Sequence, residues 1–184
     1  MSRYKCLQTD EFYHKEYALV PLRESDIFLI MQWRNEQLYH LRQQKPLTEN
    51  DQLIYYNDVV QKSFEADFPK QILFSFLKNE VCVGYGGLVH INWADKNAEL
   101  SFLMNTALEK ENFDELWSNY LSLIEVAAFA QADLHKIYTY AFDIRPQLYP
   151  VLEKNGFMRE AILKDHCRID GKYKDVVIHQ KINR

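Results

Sequence analysis

The sequence predicts a mixed α/β domain: an antiparallel meander, one parallel strand pair and a C-terminal hairpin, with helices between them. Three observations carry this. After Pro69 the apolar period changes from helical to alternating, over QILFSFLK (71–78), VCVGYGGLVHINW (81–93) and AELSFLM (98–104). The third run is followed by a helical repeat and then at once by HKIYTYAF (135–142). A strand, helix, strand unit of this length calls for a right-handed crossover and parallel strands. Near the C-terminus, Asp170-Gly171 separates two long runs, 157–169 and 172–182, a two-residue hairpin signal.

In chain order, a charged extension (1–16) precedes a first strand at 17–23. Ser25 is expected to cap a helix carrying Ile27, Ile30, Met31 and Trp33 as far as Gln37. Thr48 with Asp51 three residues on forms a capping box for a second helix, which carries Leu53, Tyr56, Val59 and Val60 on one face. The three alternating runs then follow as a meander joined by Asn79-Glu80 and 94–97. Asn112 with Glu115 gives a second capping-box pattern, from which Leu116, Tyr120, Leu123, Ile124, Ala127 and Ala128 repeat at helical spacing to Gln131. A short helix ends at Asn155-Gly156, where glycine suits a left-handed position just past a helix.

Composition excludes several functions. The chain of 184 residues, 47% apolar, is long enough for one well-buried core, and we read residues 1–184 as one domain. The 5 glycines, at 84, 86, 87, 156 and 171, build neither GxGxxG nor GxxxxGK[ST], which excludes a dinucleotide-type cradle and a P-loop. The net charge is -4 with the basic residues scattered, so no nucleic-acid partner is expected. The N-terminal segment lacks the apolar core of a signal peptide, and no apolar run approaches the roughly 20 residues of a membrane span. The 3 cysteines are far apart and without CxxC, which fits a reducing compartment, no metal site and a cytoplasmic location.

Several segments in joint order resemble one family: ALVPLRESD (18–26), WRN (33–35), VGYGGL (83–88), AELSFLM, LEKNGF (152–157) and DGKYKDVVIHQKI (170–182). From Tyr17 to Ile182 the chain resembles the GNAT acetyltransferase superfamily, in particular its RimJ/RimL-like branch. WRN and HINW (90–93) are more narrowly similar to acetyltransferases acting on nucleotide-linked 4-amino sugars. The resemblance implies the acyl-CoA N-acyltransferase fold, a mixed, mainly antiparallel sheet with a splayed parallel strand pair and helices on both faces, and direct transfer from acetyl-CoA to a primary amine. It implies that the backbone of Phe102, Leu103 and Met104 contacts the pantetheine arm and that Lys110, Asn112 and Phe113 lie near the diphosphate. A backbone N–H of the same strand is expected to polarise the acetyl oxygen.

The amine must lose a proton, and Glu99 is the first candidate to take it, with His90 and Asn92 sharing a strand face beside it as alternatives. Glu99 read as a solvated edge carboxylate and His90 as a structural histidine remain open alternatives. Tyr149 is the candidate acid for the leaving thiolate, against its reading as a packed aromatic. Trp33, Arg34, Asn35 and Arg42, with His40 among them, lie where this branch places its acceptor loop. Arg34 and Arg42 suit phosphates, and Tyr85 and Trp93 complete the acceptor candidates.

The sequence departs from the family twice. The segment expected to be its glycine-rich diphosphate loop reads ALEKENFDE (107–115), without glycine and rich in acid. Carboxylates at a helix start favour the helix by roughly 0.3–1 kcal/mol each but repel a diphosphate. The position of the family's usual tyrosine acid is Leu152. Three functions therefore stand side by side: acetylation of a small amine such as a nucleotide-linked amino sugar, acetylation of a protein N-terminus, and a non-catalytic binding module of the same fold. Besides the small amine, a second copy of the chain stands as an open partner, and no membrane partner is expected.

Overall fold

In the computed structural model, which describes residues 3–184, eight strands form one sheet in the order β1-β2-β3-β4-β5-β6-β8-β7. The strands are β1 (Phe12–His14), β2 (Tyr17–Pro21), β3 (Ile72–Lys78), β4 (Val81–Asn92), β5 (Asn97–Met104), β6 (Lys136–Phe142), β7 (Met158–Ile169) and β8 (Lys172–Ile182). All neighbours pair antiparallel except β5 and β6, which are parallel. The β3-β4-β5 meander, the parallel crossover and the C-terminal hairpin follow the sequence pattern. Asp170 and Gly171 both take positive φ, 48° and 78°, as a tight hairpin of right-twisted strands requires.

The helices are α1 (Ile27–Glu36), α2 (Glu49–Tyr55), α3 (Gln61–Glu65), α4 (Thr106–Glu125) and α5 (Leu148–Lys154). A π-helical turn, Tyr56–Val60, joins α2 to α3. The Thr48/Asp51 capping box is present at the start of α2. Helices lie on both faces of the sheet: Tyr85 meets Arg34 of α1, while the adjacent Gly86 faces Tyr120 of α4. On the α4 face Phe102 stacks on Tyr120, ring centroids 4.0 Å apart, and Phe76 meets both edge-on. A Cβ on Gly86 would collide with the Ser101 carbonyl and the Tyr120 hydroxyl, so the bare backbone at Gly86 is what lets Tyr120 of α4 reach the sheet.

Four sequence expectations change. Ser25 does not cap α1; a 3₁₀ turn, Glu24–Asp26, precedes the helix, because Arg23 clamps Asp26 and Ser25 turns to the same carboxylate. β2 ends at Pro21, since a proline cannot donate to the ladder. The extension is not detached: Phe12–His14 forms the edge strand, and Tyr4 is buried with its hydroxyl bonded to Leu73. Finally, Asn112 is not a cap. α4 starts six residues earlier, at Thr106, with Asn105 accepting from the Ala107 N–H. Residues 106–111 are mostly good helix formers without a breaker, so the helix extends back to the first side chain able to cap it. No helix among the described residues is long and apolar enough to cross a membrane.

Candidate active site

β5 and β6 stay paired only through Asn97↔Lys136, Ala98↔Ile137 and Glu99↔Tyr138. Beyond Glu99, β5 follows β4 to Met104 while β6 follows β8 to Phe142, and the strands part as a fork. A cavity of about 860 Å³ fills this fork. Leu100, Ser101 and Phe102 line it from β5, and Thr139 to Phe142 from β6. It reaches Trp117 of α4 and Leu148 of α5 on one sheet face and Arg34, Asp58 and Lys62 on the other.

Backbone direction along the fork is set by one bond. The Asn105 N–H donates to the Val83 carbonyl on β4, at 2.8 Å. Alternation then turns the backbone groups of 101, 103 and 105 to β4, and those of 100, 102 and 104 to β6 and the fork. Of the expected pantetheine contacts, Phe102 and Met104 therefore face the fork and Leu103 does not. The Met104 carbonyl accepts from Gln37 Nε2 at 2.8 Å, which leaves Phe102 with the freer backbone.

Glu99 sits at the apex, where the strands separate, and is only 8% exposed. It is not a solvated edge carboxylate. Oε1 accepts from the Arg42 guanidinium, and His90 Nδ1 lies 2.9 Å from Oε2. Arg42 in turn lies over the Tyr140 ring, 4.2 Å from its centroid, which holds the guanidinium flat against β6. A β-bulge brings His90 there. The β4–β5 register jumps between Val89 and Asn92, and His90 takes φ 50°. The bulge also breaks the alternation expected of His90 and Asn92: the Asn92 side chain turns to Asp95, at 2.8 Å. Because a carboxylate only accepts, Nδ1 is the protonated nitrogen of neutral His90, and Nε2 carries the lone pair.

Three buried polar atoms along the cavity have no hydrogen-bond partner among the described residues: Trp117 Nε1, Thr139 Oγ1 and Arg145 Nε. A buried N–H or O–H without a partner costs about 1–3 kcal/mol. The strand backbone that Phe102 turns into the fork, unpaired beyond Glu99, suits a long, amide-bearing arm such as pantetheine.

At the open end of the fork, Arg145 follows β6 and is 8% exposed. Its Nη2 donates to Glu109 of α4 at 2.6 Å, its Nη1 lies 3.2 Å from the His40 ring nitrogens, and its guanidinium lies 5.3 Å from the Phe113 ring. Burial and the Arg145 charge push His40 down to about 3, so its ring is neutral. The α4 terminus here is capped from within by Asn105, while the Gln37 amide donates to the Thr106 hydroxyl at 3.0 Å.

The remaining predicted site residues divide. Arg34 and Arg42 line the cavity, as do His90, Glu99 and Phe102. Trp33 is core, 2% exposed. Asn35 holds the backbone of Leu47 with both ends of its amide. Tyr85 is buried with its hydroxyl on Arg34, and Trp93 donates to the Pro69 carbonyl at 2.8 Å behind Phe68. Lys110 is exposed on α4, and Asn112 bonds Glu115 inside the helix at 3.4 Å. Phe113 packs on Trp117. Tyr149 lies outside the cavity lining, its hydroxyl on Asp143 at 2.8 Å and its ring stacked on His179. Burial and Asp143 together raise its pKa, which suits a packed, proton-retaining phenol.

Sequence reasoning missed Trp117, Thr139, Tyr140 and Arg145. Each sits in a regular strand or helix pattern, or just after one, and carries no local signal. The Pro146 that follows Arg145 marks only the end of the strand.

A family model described as "Acetyltransferase (GNAT) domain" matches residues 19–178. Spermidine N-acetyltransferase from Vibrio cholerae, solved with CoA and spermine, superposes with a TM-score of 0.77 at 20% identity, over 92% of this chain and 96% of that one. A dodecameric structure of the Vibrio cholerae enzyme in an intermediate state gives a TM-score of 0.72 at 22% identity, over 92% and 95%. A chimera of that enzyme carrying a K23-Q34 exchange gives 0.73 at 22%, over 91% and 96%. No curated protein matches the sequence.

Proposed function

Since the chain belongs to the acetyltransferase (GNAT) domain family, N-acetyltransferases whose acyl donor is acetyl-CoA, we propose that it acetylates the primary amine of a small acceptor that also carries negative charge. A nucleotide-linked amino sugar is such an acceptor. The donor supplies an activated acetyl group, and the chain supplies the rest. The carrying observation is the His90–Glu99–Arg42 array at the apex of the fork.

In this reading His90 Nε2 takes the proton of the amine. Both Glu99 oxygens are engaged, so Glu99 acts through His90: it sets the tautomer and stabilises the imidazolium that forms. The backbone N–H of Phe102 is the candidate donor toward developing negative charge, a dipole fixed by the strand. The cavity lining contains no cysteine, which supports direct transfer to the amine over a thioester relay through the protein. Burial of Tyr149 against His179 and Asp143 argues for a thiolate that leaves without that residue as its acid.

A negatively charged acceptor is supported by the charge of the cavity lining. Its carboxylates, Asp58 and Glu99, are both paired already, with Lys62 at 3.2 Å and with Arg42. Arg34 and Lys70, also in the lining, make no ion pair among the described residues. Arg34 is satisfied by neutral partners, the Gln43 amide at 2.9 Å and the Tyr85 hydroxyl. A polycation such as spermidine meets no unpaired carboxylate here, whereas a phosphate-bearing amine meets two spare cations.

Thiol release with acetyl-CoA is the test, across nucleotide-linked amino sugars, uncharged amino sugars, spermidine and N-terminal peptides. The phosphate-bearing amines are expected to give the highest kcat/KM. Faster turnover of spermidine or of a peptide overturns the acceptor class, and no turnover of any amine overturns the reading.

A further inference from the structure

The open end of the fork raises a question of charge. CoA carries a diphosphate, and the segment between β5 and α4 offers it no glycine loop, because α4 begins directly after Asn105. The α4 terminus is also engaged: the Ala107 N–H by Asn105, and the Leu108 N–H by the Asn105 carbonyl at 3.0 Å. What stands at this end instead is a buried guanidinium. Arg145 is 8% exposed, lines the cavity, leaves Nε unpartnered among the described residues, and gives Nη2 to Glu109.

We infer that Arg145 grips the diphosphate of CoA and that Glu109 is a placeholder carboxylate, which gives up the guanidinium when CoA enters the fork. This rests on the reading that the fork holds acetyl-CoA. The chemistry supports the exchange. A carboxylate and a phosphate present the same pair of acceptor oxygens to a guanidinium fork, so one substitutes for the other without rebuilding the site. Arg145 is already set in place, by the neutral His40 ring beside Nη1 and by Phe113 beneath its guanidinium. Glu109 has a way out: it belongs to the first turns of an exposed helix surface, and its side chain is 18% exposed against 10% for Arg145. The pair thus keeps a buried cation satisfied in the empty fork and opposes CoA by an amount that Glu109 sets.

Isothermal titration of the full chain tests this with two ligands, CoA and pantetheine, which lacks the diphosphate and nucleotide. The variants are Arg145→Gln, Arg145→Lys and Glu109→Gln. Arg145→Gln is expected to weaken CoA by about tenfold or more, the worth of a charge-assisted hydrogen bond, and to leave pantetheine unchanged. Arg145→Lys is expected to fall between it and wild type, keeping charge but losing the planar fork. Glu109→Gln is expected to tighten CoA several-fold and leave pantetheine unchanged.

Equal weakening of both ligands by the Arg145 variants, or no effect on either, overturns the grip. Weaker CoA binding in Glu109→Gln overturns the placeholder role, and this variant decides the matter if Arg145→Gln does not fold. Wild-type protein that binds neither ligand overturns the acetyl-CoA reading itself, a failure distinct from wild type that binds CoA equally in all variants.

Discussion

His90 Nδ1 lies 2.9 Å from Glu99 Oε2, although the two residues sit on neighbouring strands whose regular register would not aim one at the other. The β-bulge supplies the aim, and Arg42 fixes the carboxylate from the opposite side. In the proposed reaction His90 is the proton acceptor and Glu99 the positioning residue. His90→Ala is expected to lower kcat/KM by about 100-fold or more and to remove the acidic limb of its pH profile. Glu99→Gln is expected to lower it by about tenfold while keeping a limb, now displaced. An acidic limb that survives unchanged in His90→Ala assigns the base elsewhere.

His40 is held neutral, pushed down to about 3, whereas in the unfolded chain it titrates near 6.5. The unfolded state then binds the proton more readily, so this contribution is complete above about pH 6.5 and is lost progressively as pH falls toward 3. The slope is at most ~1.4 kcal/mol per pH unit. Urea midpoints measured from pH 7 to 4 are expected to fall more steeply in wild type than in His40→Gln. Parallel curves would show that His40 is not coupled to folding.

Arg34 lines the cavity with only neutral partners, the Gln43 amide and the Tyr85 hydroxyl, and is the proposed cation for the acceptor. Arg34→Gln is expected to raise KM for a phosphate-bearing amine by about tenfold and to leave KM for an uncharged amino sugar and for acetyl-CoA in place. Added salt should raise the same KM in wild type. An equal rise for charged and uncharged amines removes Arg34 from acceptor recognition.

Two glycine-to-alanine changes separate space from backbone conformation. At Gly86 the new methyl would meet the Ser101 carbonyl and the Tyr120 hydroxyl, in the sheet and beneath α4, where nothing yields cheaply. The expected loss is about 3 kcal/mol. At Gly171 the methyl meets nothing within 4 Å, but φ is 78°, and the expected loss is about 1 kcal/mol. Chemical denaturation of both variants checks the order. A milder effect at Gly86 would mean that β4 and β5 separate more readily than their packing implies.

Elements built from repeated local patterns were legible in the residues. The meander, the long helix through Tyr120, the Thr48 cap and the Asp170-Gly171 turn each announce themselves within a dozen positions, because period and turn chemistry act locally. The start of α4 was not, since Asn112-x-x-Glu115 carries the same local signature as a true cap. Only the strand ending at Met104, with Asn105 free to cap, decides where the helix begins.

By itself, the sequence determined a mixed α/β sheet with one parallel pair and the absence of glycine cradles for phosphate, and it offered Glu99 and His90 as proton-transfer candidates and Arg34 and Arg42 as acceptor-binding candidates. The tertiary structure alone decided how they meet. A bulge at His90 turned two candidates into an ordered pair. The divergence of β5 and β6 opened the cavity, and three segments distant in the chain brought His40, Glu109 and Arg145 together at its mouth. The reason is geometric. A strand residue's face reverses with a single step of register, and contacts between distant segments leave no periodic trace in the chain.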